Sequence, residues 1–410
     1  MSTPFLRAAA LAAALLPPLA GAQALSLEQA QRLAGDRSEA ARASRSAALS
    51  AGESSHAAGQ LPDPVLSAGI ENLPVTGPDR FNTTADSMTM KRIGISQEWV
   101  SAEKRAARAA EGRALADRQT TQAAIAEAEA RLQATLAYVD AWYAAQDLAL
   151  ATQGEHHLHE ELEAARARLA AAAGSGAEAL QLQSARGMAE DESEEARQQQ
   201  VDAFLALARW VGFRPDALAA APAFGLPAEG DFVARHPAVA ALRGEADVAR
   251  QAAAATAKER APNWTWQVSY GQRTGYSDLV TVGVSIPLPV AAAQRQDRAT
   301  AAQLALVDKA EAELAEATRA ATSEYETLAA DAQRLEQRVA HYRTAVALPA
   351  GQRTAAALAA YRTSQGPLEA LFEARHAELL AQRKVLALER ELARVEARLA
   401  FEPLARGGER

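Results

Sequence analysis

The chain has 410 residues, no cysteine and a formal net charge of -8, and 49% of it is hydrophobic although only 5% is aromatic. The missing cysteine excludes disulfides, thiolate metal sites and cysteine catalysis, and the acidic balance argues against a nucleic-acid partner, which needs a basic face to neutralise phosphates. The excess is aliphatic and rich in alanine, a composition of long helix-helix seams rather than of a bulky globular core.

Residues 1–24 read as a secretory signal: Arg7 is the positive n-region, Ala8 to Leu16 the apolar stretch, and Ala20-Gly21-Ala22 or Ala22-Gln23-Ala24 the small-residue cleavage site. No other run approaches the roughly 20 apolar residues of a spanning helix, so a membrane-spanning mature chain would have to span with strands. A helical stretch runs from Leu25 to near Gln60, where Pro62 and Pro64 stop it. A strand is expected at about 64–73, where Leu66, Ala68 and Ile70 oppose Ser67, Gly69 and Glu71. After a loop rich in Pro, Gly, Asn and Thr, a second strand follows at about 87–99. Its apolar parity flips between Met90 and Ile93, which predicts either a bulge at Lys91-Arg92 or a later strand start. One very long helix is predicted from Ala102 to about Ala172, a break at Gly174-Ser175-Gly176, and another helix to Trp210.

The same plan then repeats at an offset of 200 (Pro262 minus Pro62). Residues 25–212 form repeat 1, 213–230 a Pro- and Gly-containing crossover linker, 231–403 repeat 2, and 404–410 a tail. Repeat 2 predicts a helix at about 232–260 and strands at about 263–271 and 278–287. A long helix follows over 293–363, with an irregularity at Pro349-Ala350-Gly351, and another resumes after Ser364-Gln365-Gly366-Pro367. Trp264, Trp266, Val268 and Tyr270 alternate with Thr265, Gln267, Ser269 and Gly271, and Val280, Val282, Val284 and Ile286 alternate likewise with small or polar neighbours. Such period-two segments mark strands with lipid on one side and water on the other. The fold class is therefore mainly α with a transmembrane β-barrel. Four strands cannot close, and open edges are not tolerated in hydrocarbon, so the pattern demands oligomerisation; three chains would give a 12-stranded barrel.

Leu61-Pro62-Asp63-Pro64-Val65-Leu66-Ser67-Ala68-Gly69-Ile70-Glu71-Asn72-Leu73-Pro74-Val75 and Met88-Thr89-Met90-Lys91-Arg92-Ile93-Gly94-Ile95-Ser96-Gln97-Glu98-Trp99, set in this duplicated plan, resemble the TolC family of outer-membrane efflux proteins. Within it they are similar to the CzcC-type branch, which serves heavy-metal resistance-nodulation-division (RND) pumps. The resemblance implies a homotrimer in the outer membrane, a barrel above a periplasmic α-helical tunnel, and two protein partners, an adaptor and an inner-membrane RND pump. It implies neither a cofactor nor a resident metal. At the helix breaks Gly174, Gly176, Glu178 and Leu180 in one copy, and Tyr361, Arg362, Gly366, Leu368, Leu371, Glu373 and Ala374 in the other, match the family's pattern at the periplasmic tips. The match implies adaptor contact and a gate there. Ser364 stands where Gly is usual, Pro367 is unexpected, and Glu replaces Asp at 178 and 373.

Two readings stay open at several positions. Glu369 and Glu373 either ring a tunnel mouth or sit in solvent near a helix N-terminus, where negative charge is favourable. His156, His157 and His159 either bind metal or form an exposed polar band, and only 156 and 159 share a helix face. Trp99, Trp264, Trp266 and Tyr270 either anchor a barrel at the membrane interface or pack in a core. No G-x-S-x-G elbow, phosphate loop or H-E-x-x-H helix occurs, so an enzyme is not expected. The competing class is a non-conducting periplasmic coiled-coil bridge, and within the duct class the cargo could be cations, drugs or a secreted polypeptide.

Overall fold

The computed structural model describes residues 24–363 and 365–401. Residues 1–23 of the expected signal, Ser364 and the 404–410 tail lie outside them.

The first helical stretch is two helices, α1 (Leu27–Asp36) and α2 (Glu39–Ala58), rather than the single one expected. Ser26 starts α1 with a reciprocal cap: its Oγ accepts from the Gln29 N–H at 3.2 Å while its own N–H donates to Gln29 Oε1 at 3.1 Å. α1 buries Ala30, Ala34 and Gly35 and α2 buries Ala41 and Ser55, with the break at Arg37-Ser38 between them. The second copy is corrected in the same way. The helix expected at 232–260 is α5 (Glu229–Arg235) followed by α6 (Pro237–Lys258), because Pro237 cannot continue the preceding ladder but suits the first turn of a new helix.

Strands β1 (Val65–Glu71), β2 (Met90–Trp99), β3 (Trp264–Gln272) and β4 (Leu279–Ser285) form one antiparallel sheet in the order β1-β2-β3-β4. Pairing runs without interruption through Lys91 and Arg92, from Val65 opposite Ser96 to Glu71 opposite Met90, and from Lys91 opposite Gln272 to Trp99 opposite Trp264. There is no bulge at that place; the strand starts later, at Met90.

The long helix α3 spans Ala102–Ala170 without a break, and α4 follows over Gly176–Val211. Its second-copy counterpart is interrupted. A short 3-10 turn (Ala292–Gln294) leads into α7 (Gln296–Tyr342), a π-helical turn occupies Arg343–Ala347, and α8 (Leu348–Arg362) and α9 (Leu368–Phe401) complete the chain. Pro349 supplies the reason: it has no N–H, and its ring would strike the carbonyl four residues back, so the preceding turn widens.

The chain divides into two compact units that cut across the sequence repeats. One comprises residues 39–126 and 233–323 and holds the sheet. Beneath the hairpins, the nearly buried Lys104 donates to Glu259 Oε2 (3.1 Å) and Asn263 Oδ1 (2.8 Å), and Arg108 Nη2 donates to Glu259 Oε1 at 2.7 Å. Burial acts to raise the Glu259 carboxyl pKa, but these hydrogen bonds and charges outweigh it and leave it lowered.

The other unit comprises residues 24–38, 127–232 and 324–401. Its largest core joins Leu25, Ala30, Tyr138, Phe204, Leu207 and Val211. Leu25 pairs in parallel with Leu218 of the linker, and the Tyr138 hydroxyl donates to the Ala220 carbonyl at 2.9 Å. The linker is thus held against the segment just before α1. Among the described residues no helix is long and apolar enough to cross a membrane.

Candidate functional site

The sheet separates its side chains by chemistry. On one face lie Leu66, Ala68 and Ile70 of β1, Ile93, Ile95 and Trp99 of β2, Trp264, Trp266, Val268 and Tyr270 of β3, and Val280, Val282 and Val284 of β4. Their register makes continuous cross-strand rows, Leu66-Ile95-Val268-Val282 and Ala68-Ile93-Tyr270-Val280. The face is uncovered: Leu66 and Val282 are each 72% exposed. On the opposite face are Ser67, Gly69, Glu71, Arg92, Gly94, Ser96, Gln267, Ser269, Thr281, Gly283 and Ser285, with Arg92 and Glu71 ion-paired across the strands. Gly94 is needed there, since a Cβ at that position would sit 2.8 Å from Ser269 Cβ.

The aromatics expected at a membrane interface all lie on this face. Trp99 and Trp264 are opposite each other at the end nearest the helices, with ring centroids 5.8 Å apart, and Trp266 occupies the next row. Tyr270 stands six residues further along β3, about 20 Å at strand rise, and its hydroxyl bonds the Asp278 carboxylate in the connecting loop. The Trp99 side chain lies on the uncovered face at 42% exposure. Three polar side chains share this face and were not anticipated: Lys91 and Gln272, opposite each other at the rim, and Gln97, whose amide reaches the Pro62 carbonyl.

The helix breaks lie in the other unit. After α3, Ala172 takes a left-handed conformation (φ 53°), and Gly174 packs so closely that a Cβ would lie 2.9 Å from the Leu169 nitrogen. Ser175 caps α4, accepting from the Ala177 N–H at 3.2 Å, so Gly176 opens the helix in solvent. Glu178 lies in the first turn of α4 and pairs with Arg168 at 3.4 Å. Leu180 is 68% exposed, whereas Leu182 is buried with Leu162, Ala165, Leu368 and Leu371. Tyr361 packs on this cluster, Arg362 ends α8 exposed, and Gly366 donates its N–H to the Ala360 carbonyl at 3.1 Å. Glu369 is exposed in the first turn of α9 and accepts from Gln181 Nε2 at 3.4 Å; Glu373 stands 3.8 Å from Arg353. Leu368, Leu371 and Ala374 therefore build the tip's interior, and Leu180, Arg362, Glu369 and Glu373 its surface.

A ladder of charges above this cluster was missed by the sequence reading. Arg375 Nη1 donates to Glu161 Oε1 at 2.7 Å, Arg383 holds Asp147 through two bonds of 2.8 Å, and Arg390 and Arg394 both hold Asp140. The signal was present as heptad spacing: Arg383 and Arg390 are seven apart (390 minus 383), and so are Asp140 and Asp147 (147 minus 140), as antiparallel neighbours require. The histidine band carries no metal cluster: His156 and His157 both face Glu160, at 3.4 and 3.6 Å, and among the described residues no three His, Cys, Asp or Glu side chains converge as metal ligands.

No family model and no curated protein sequence matches the chain. Solved structures do. The outer membrane protein VceC of Vibrio cholerae aligns over 92% of this chain and 96% of its own at 17% identity, with a TM-score of 0.73. The CmeC outer membrane channel of Campylobacter jejuni aligns over 93% and 87% at 11% identity and TM-score 0.74. The open-state MtrE channel of Neisseria gonorrhoeae aligns over 92% and 88% at 15% identity and TM-score 0.68. With that coverage, helices and sheet included, the chain has the fold of a TolC-like outer-membrane channel protomer.

Proposed function

We propose that the protein is the outer-membrane duct of a tripartite efflux system. The observation that carries the reading is the sheet: one face predominantly apolar and uncovered, the other mostly small and polar, and two edge strands with unpaired backbone groups. In water the apolar face would be an aggregation surface, and in lipid the open edges would cost several kcal/mol for each unsatisfied group. Both problems vanish if β4 of one copy pairs with β1 of the next. Three copies then close 12 strands, apolar outward to lipid and polar inward to water. The fold shared with VceC, CmeC and MtrE supports this assembly.

The helices continue the lumen into the periplasm, and the tips meet an adaptor that couples the duct to an inner-membrane RND pump. Leu180, Arg362, Glu369 and Glu373 offer the adaptor an exposed apolar and charged surface. The α3–α9 ion pairs at Glu161, Asp147 and Asp140 are the bonds that a splaying tip would have to exchange for water. Heavy-metal cations are the cargo; the support for this is the likeness of the first hairpin to the CzcC-type branch. Glu98, Glu369 and Glu373 would lend such a conduit a cation preference without binding any ion tightly, whereas Glu71 is offset by Arg92.

Reconstitution into vesicles whose lipids carry bromine at defined acyl depths tests the assembly. Trp99, Trp264 and Trp266 should be quenched by shallow bromines, and a trimer mass should be found in the same detergent extract. Unquenched tryptophans in a monomer that is soluble without detergent would transfer the chain to the bridging class.

A further inference from the structure

The apolar face of the sheet ends on one cation. Along β2 that face carries Trp99, Gln97, Ile95, Ile93 and Lys91, and among the described residues Lys91 is its only charged side chain. It lies in the last paired row, between Ile70 of β1 and Gln272 of β3, and the next row inward is Ala68-Ile93-Tyr270-Val280. The residue is exposed, and no acidic group among the described residues pairs with its ammonium. The neighbouring charges are engaged elsewhere. Glu71 and Arg92 pair with each other on the opposite face, and Asp278, just before β4 and two strands away, accepts from the Tyr270 hydroxyl and from the Arg273 N–H.

Position decides what this ammonium meets. From the Trp99–Trp264 row to the Lys91–Gln272 row is eight residues (99 minus 91), about 26 Å at strand rise. At a barrel tilt of about 40° that becomes roughly 20 Å across the membrane, close to the ~25 Å apolar band of an outer-membrane barrel. With the tryptophans at one boundary of the band, Lys91 stands at the other, on the side away from the helices. A lysine on the lipid face is costly at the midplane and nearly free at the boundary, where its stem lies along apolar surface while the ammonium reaches the headgroups. A phosphate at that depth supplies the anion that the sheet withholds, and the Gln272 amide opposite Lys91 offers a second donor to the same oxygens.

We infer that the Lys91–Gln272 rim docks the phosphate of an anionic membrane lipid, one per chain, in the leaflet away from the helices. The inference rests on the membrane reading proposed above and adds a lipid chemistry to it: an anionic phosphate headgroup is favoured over a zwitterionic one, whose own ammonium competes with Lys91.

The test is native mass spectrometry of the detergent-purified full chain titrated with dioleoyl phosphatidic acid and, separately, with dioleoyl phosphatidylcholine. The wild type should retain one phosphatidic acid per chain with about fivefold higher affinity than phosphatidylcholine, the margin of one lysine near an anionic surface. Lys91→Gln should bring the two lipids within about twofold, and Lys91→Arg should keep the preference. Lys309→Gln, at an exposed lysine on α7, should leave it unchanged. Equal affinities in the wild type, or a preference that survives Lys91→Gln, would overturn the proposal and leave the duct reading standing. A chain that is soluble without detergent and retains neither lipid would take both down.

Discussion

The sheet and the helix tip solve opposite problems with the same residue types. The sheet turns Leu, Ile, Val and Trp outward and keeps Ser, Gly and its Arg92–Glu71 pair on the other face. The tip buries Leu162, Leu182, Leu368 and Leu371 and presents Glu and Arg to water. A hydrophobic residue is therefore placed by the medium its element meets, and the uncovered apolar face of the sheet is the observation on which the proposed lipid contact rests.

Substitutions that deny each region its medium test that contrast. The largest effect is expected inside the tip. Leu371→Ala should cost about 2–5 kcal/mol in chemical denaturation of the helical unit, because the site is enclosed on several helices. On the sheet the equivalent error is a charge: Val268→Arg, in the middle of an apolar row, should cost about 2–4 kcal/mol in refolding into bilayers, whereas Gln267→Arg at the neighbouring exposed polar position should cost markedly less. If both positions respond equally, the two faces of the sheet are not distinguished by solvent.

Acidity sharpens the comparison next. The Glu161 pKa is raised by burial, so folding binds a proton there: its contribution is fully present below the unfolded carboxylate range and is lost as pH rises through the elevated folded value. Glu259, lowered on balance, acts in the reverse sense, stabilising above the unfolded range and losing that support as pH falls through its folded value. Hydrogen exchange should show tip amides near Glu161 better protected at mildly acidic than at neutral pH, and Glu161→Gln should flatten that dependence. The smallest stability effect is expected for the exposed tip charges. Glu178→Lys with Glu373→Lys should move unfolding by less than about 1 kcal/mol, as surface pairs do, yet alter conductance or adaptor pairing. Unchanged conductance and unchanged efflux in that double variant would remove these residues from the gate.

Periodicity made the sheet legible. Alternation in 264–270 and 280–286 placed both second-copy strands within about two residues, and the helix breaks at 174–176 and 364–367 were plain from glycine and proline. Three features were not legible. The breaks at 37–38 and 236–237 lie within long stretches of helix-forming composition, which masks the local marks that Gly35 and Pro237 supply. The parity flip at Met90 had two local explanations, and only the partner strands decide between them. The tip's ion ladder joins residues more than 200 positions apart, such as Glu161 with Arg375, so it needs a pairing register that single-helix spacing gives only in part. The tip residues drawn from the family's pattern mixed two roles, since Leu368 and Leu371 form the interior and Leu180 the surface.

Single-channel recording from the detergent-purified protein in planar bilayers tests the central claim most directly, with the oligomeric mass measured on the same preparation. A trimer giving low, flickering, cation-preferring conductance is the expected result for a closed duct with an aqueous lumen. A monomer or dimer that stays soluble without detergent and passes no current would contradict it, and the apolar face of the sheet would then need a protein, not a lipid, to cover it.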